Sequence, residues 1–109
     1  MSDKELLGLA AKAYGIEVTA VVPDGIPHRF GGGYWNPLTD DGDALRLAVK
    51  LGMEVYVDLS WCECSEAQSH TYARPDNGMR SIVNHDNDPY AATRKAIVVA
   101  AAEIGRSMK

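Results

Sequence analysis

The chain has 109 residues, 46% apolar and 24% charged, with a formal charge of −4. This length and balance fit a single domain, residues 1–109, with one core, and exclude wholesale disorder. The acidic balance argues against nucleic acid as a partner, because phosphate binding leaves a basic footprint.

The opening segment, MSDKELLGLAAKAYG, carries acidic residues where a signal peptide is positive, so it is expected to be structure rather than an address. Ser2 with Glu5 three residues on forms a capping-box signal, and Leu6, Leu7, Ala10, Ala11, Ala13 and Tyr14 follow at helical spacing. Gly15 fits the position just past the helix end. The next stretch is harder to divide. Pro23-Asp24-Gly25 predicts a turn, and a first strand is expected around 29–35, where three glycines between aromatics suggest a bulge or tight bend.

Residues 40–51 predict a second helix, with Ala44, Leu45, Leu47, Ala48 and Leu51 apolar and Asp43, Arg46 and Lys50 together on the wet side. Gly52 ends it. MEVYVDLSWCEC then alternates. Met53, Val55, Val57, Leu59 and Trp61 share one face, and Glu54, Tyr56, Asp58, Ser60, Cys62 and Cys64 the other. SHTYAR and MRSIVNH, separated by the turn PDNG, complete an antiparallel meander. Asp88 as N-cap and Pro89 at the first helical position open a third helix, whose apolar middle, Ala96 to Ala102, marks it as the most buried element. That run is far too short to span a bilayer, so no membrane partner is expected.

The order α-β-α-β-β-β-α predicts an α+β fold. Three helices would pack on a four-stranded, mostly antiparallel sheet in a layered alpha-beta sandwich.

Three features could carry chemistry. Asp40, Asp41 and Asp43 could hold a cation, but helical spacing sends adjacent carboxylates apart, and Thr39 or Asp40 as helix cap explains the run better. A hairpin register with position 58 opposite 74 would pair Asp58 with Arg74, set Ser60 against Tyr72 and Cys62 against His70. Cys62, Cys64 and His70, with His85 as a fourth ligand, would then form a zinc site, although C-x-C is not the usual knuckle spacing. Without secretory context the two cysteines are expected to be thiols in a reducing cytoplasm. No oxyanion hole or orienting group accompanies a Cys–His nucleophile, which leans the reading away from an enzyme. The third feature is the polar strand face. Glu54, Tyr56, Asp58, Ser60, Tyr72 and Arg74 would form a binding surface if no helix covers them.

WNPLTDDGDALRLAVKLG and DPYAATRKAIVVAAAEIGR resemble a family of small phage and prophage proteins, the phage ABA sandwich domain. The resemblance implies an alpha-beta-alpha layered domain of phage or prophage origin, and it implies no catalytic residue. The expected function is therefore a cytoplasmic, non-enzymatic module that binds a host or phage protein and needs no cofactor. A metal-binding protein or enzyme using Cys62, Cys64 and His70, and a structural component of the virion or its assembly, are the alternatives.

Overall fold

The computed structural model describes residues 2–16, 20–22, 24–27, 33–58, 70–75, 81–84 and 88–108, apart from the side chains of Asp58, His70 and Asn84. Among the described residues there are three helices: α1 (Asp3–Tyr14), α2 (Asp41–Lys50) and α3 (Pro89–Ser107). Each begins on a polar cap. The Ser2 hydroxyl accepts the Glu5 N–H, the Asp40 carboxylate accepts from Gly42 and Asp43, and the Asp88 carboxylate accepts from Tyr90 and Ala91. Gly15, at φ 97°, closes α1 in the left-handed conformation that glycine adopts without penalty.

The strands are β1 (Ile26–Pro27), β2 (Tyr34–Trp35), β3 (Glu54–Asp58), β4 (His70–Arg74) and β5 (Ser81–Asn84). They form two antiparallel sheets rather than the expected single four-stranded one: a β1–β2 pair and a three-stranded sheet ordered β3-β4-β5. The order is thus α-β-β-α-β-β-β-α, with β1 an addition to the expected sequence of elements. The physical reason for the separate hairpin lies around Trp35. Its partner strand contains Pro27, which has no N–H to extend a ladder, and Asn36 turns the chain directly after β2. The Asn36 side chain donates to the Asp24 carbonyl and accepts the Leu38 N–H, fixing both ends of the hairpin. Gly25 permits the approach, since a Cβ there would lie 2.6 Å from the Trp35 carbonyl oxygen.

Packing centres on α3, as its alanine-rich middle predicts. Ala96, Val98, Ala101 and Ala102 are fully enclosed. Small residues let α1 come close, and Gly105 presses against the Leu9 backbone where a Cβ would have no room. The opposite side of α3 lies over β4 and β5, with the Thr71 and Thr93 hydroxyls 2.9 Å apart at the contact. Trp35 completes the core against Tyr14, ring centroids 5.5 Å apart. Among the described residues no helix is long and apolar enough to cross a membrane.

Candidate functional surface

The acidic run resolves into three separate structural tasks. Asp40 caps α2. Asp41 pairs with Arg94 of α3 at 2.6 Å. Asp43 is buried, and its carboxylate accepts the Asn36 N–H at 3.0 Å and an Arg46 N–H at 2.7 Å. The expectation that Asp43 lies on the wet side of the helix is therefore corrected: it ties α2 to the end of β2. The hydrogen bond that Arg46 donates to Asp43 raises the pKa of the exposed guanidinium above its ordinary value, so it stays charged. Arg94 is largely covered and donates to the Leu38 carbonyl as well as to Asp41.

The strand faces follow the alternation seen in the sequence, but the hairpin register differs. Glu54 lies opposite Arg74, Tyr56 opposite Tyr72, and Asp58 opposite His70. The expected pairing of 58 with 74 is overturned, and with it the Asp58–Arg74 ion pair, Ser60 against Tyr72 and Cys62 against His70. Glu54 and Asp58 share a face, so either could satisfy Arg74. The observed register adds a stacked Tyr56–Tyr72 pair with centroids 5.3 Å apart. Arg74 reaches the Glu54 carboxylate at 2.9 and 3.1 Å, and the Tyr72 hydroxyl donates to the same carboxylate at 3.4 Å.

Ser60, Cys62, Cys64 and His85 lie outside the described residues. His70 opens β4, with Asp58 and Asn84 as its ladder partners. Among the described residues no group of three His, Cys, Asp or Glu side chains could hold a metal ion.

Glu54, Tyr56 and Arg74 are exposed, Tyr72 is partly so, and Ile82, opposite Tyr72, extends the same face as an exposed apolar residue. Alternation did not extend the expected surface to β5, because Ile82 gains its place on it only through the β4–β5 register. The helices lie on the other face. There the cover is uneven across the ladder: Ala73 is sealed from solvent while its cross-strand partner Val55 is 37% exposed. Val55 and Val57 instead open onto a groove of about 430 Å³ between α2, α3 and β3, with Ala44, Ala48 and Ile97 in its lining and Leu45 and Tyr90 exposed beside it.

These features define an α+β domain with one bare sheet face, polar and aromatic, and an apolar groove beside the sheet edge. No protein family, curated protein or solved structure matches the chain.

Proposed function

We propose that the chain is a small protein of phage or prophage origin that acts in the bacterial cytoplasm as a non-enzymatic binding module for a host or phage protein. The observation that carries the reading is the bare outer face of β3, β4 and β5. Glu54, Tyr56, Tyr72, Arg74 and Ile82 combine stacked aromatic rings, a paired charge and an exposed apolar residue on one sheet. Aromatic and arginine side chains are the residue types in which protein interfaces concentrate their binding energy. The origin rests on the resemblance of the two flanking segments to the phage ABA sandwich domain, and the cytoplasmic placement on the thiols expected of Cys62 and Cys64.

Affinity capture from bacterial lysate tests the reading. Wild-type protein is expected to retain a partner that an Arg74→Glu, Ile82→Asp double variant of unchanged fold releases. Equal recovery by both proteins, or no specific partner for either, would contradict it.

A further inference from the structure

The strand β3 sits at one edge of its sheet, with β4 on one side and, among the described residues, no strand on the other. An edge strand offers unpaired main-chain donors and acceptors, and proteins ordinarily guard it with charged side chains, proline or a bulge. The β3 sequence, EVYVD, has charged residues at its two ends but neither proline nor an inward-pointing charge at Val55 and Val57, and its register with β4 runs through five consecutive pairs without a bulge. On the helix side of that edge lie Val55 and Val57, which are 37% and 44% exposed and open onto the groove. The charged groups lining the groove, Asp41 and Arg94, satisfy each other at 2.6 Å, leaving an otherwise apolar recess.

We infer that the β3 edge and the groove between α2 and α3 form a docking site for an extended segment of another protein, with apolar residues at alternate positions and lysine or arginine between them. A strand added to β3 continues the pleat, so its alternate side chains fall on opposite faces. One set enters the groove beside Val55, Val57 and Ile97, where nothing charged is left to pair with it. The other set continues the outer face beside Glu54 and the exposed Tyr56. Arg74 and the Tyr72 hydroxyl already hold the Glu54 carboxylate, so a cationic side chain is matched by the face of the Tyr56 ring and by the net charge of −4.

Charge also decides against a second copy of this chain as the occupant. The chain carries −4, and a centred twofold pairing of β3 with itself sets Glu54 of each copy opposite Asp58 of the other. Like charges directly opposite one another destabilise a ladder. The inference concerns the sheet edge and the groove, so it stands apart from the outer-face reading and is tested without the lysate partner.

The probe is a blocked peptide of alternating lysine and valine, matched in length to β3, titrated into isotope-labelled protein and followed by amide chemical shifts. Shifts are expected to concentrate on β3 and on the groove-lining turns of α2 and α3. Methylating alternate peptide nitrogens on the edge that faces β3, or replacing the lysines with glutamates, should weaken binding by about tenfold or more, the loss expected for missing ladder bonds or reversed charge at an interface. Leu45→Glu, at an exposed helix position, and Val57→Lys should each do the same. Leu45→Glu decides the matter if Val57→Lys fails to fold. The inference is overturned if the peptide leaves the β3 amides unmoved, if the methylated peptide or the Leu45→Glu variant binds as well as the unmodified pair, or if the protein alone is a dimer whose β3 amides are protected.

Discussion

Val57 lies directly across the ladder from Thr71, yet Thr71 is sealed from solvent and Val57 is 44% exposed. The difference arises from where α3 crosses the sheet. It packs over β4 and β5 and reaches β3 far less, so the same helix that closes the core leaves one edge open. The outer face of the sheet is bare along its whole described width. A fold of this size thereby presents two different surfaces, one polar and aromatic, the other an apolar groove.

Glycine substitutions should separate packing from helix propensity. Gly8 and Gly105 are both helical, and a Cβ at Gly8 meets nothing within 4 Å, whereas at Gly105 it runs into the Leu9 backbone. Gly8→Ala should therefore stabilise the protein by about 0.5–1 kcal/mol in urea denaturation. Gly105→Ala should destabilise it by about 1–3 kcal/mol despite the better helix former.

The three aspartates should rank by what each carboxylate holds. Asp43→Ala leaves the Asn36 N–H without its acceptor in a buried position and should cost about 1–3 kcal/mol. Asp40→Ala removes the α2 cap and should cost about 1 kcal/mol. Asp41→Ala breaks an ion pair in which the carboxylate is 71% exposed, and should cost less than about 1 kcal/mol. Thermal or urea unfolding of the three single variants reads the order directly, and an equal loss for all three would point to a shared cation instead.

Tyr56→Ala removes one ring of the stacked pair from a half-exposed position, so its effect on stability should stay below about 1 kcal/mol. Its effect on partner capture should be larger than that. A variant that unfolds the protein would mean the outer face is packed rather than open.

Metal analysis of protein purified without chelator should find zinc well below one equivalent, because the register sets His70 between Asp58 and Asn84 and not against Cys62. Stoichiometric zinc, lost on Cys62→Ser, would restore the metal reading.

Local signals in the sequence carried much of the fold. Ser2, Asp40 and Asp88 cap helix starts through amides two or three residues on, Gly15 closes α1 on the Ala11 carbonyl four residues back, and Pro89 opens α3, each as its residue type predicts. Strand alternation likewise assigned Val55 and Glu54 to opposite faces. What depended on distant partners was misread. Arg74 had two equivalent acids within a register slip, and the tyrosine stack and the hydrogen bonds converging on Glu54 accompany the pairing that formed. Asp43 looked solvated because Asn36, whose N–H it accepts, meets it only in the folded chain. The β1–β2 pair was hidden for the same reason, its two rungs being set by Gly25 and Asn36 acting across the turn. The groove follows from the placement of α3 across the sheet, which no local pattern encodes.

The most direct test of the binding account maps the surface that a captured partner covers. Isotope-labelled protein is titrated with the purified partner and the attenuated or shifted amides are assigned. The account predicts that they centre on Glu54, Tyr56, Tyr72, Arg74 and Ile82. A footprint confined to the exposed side of α1, with those strand residues unmoved, would contradict it.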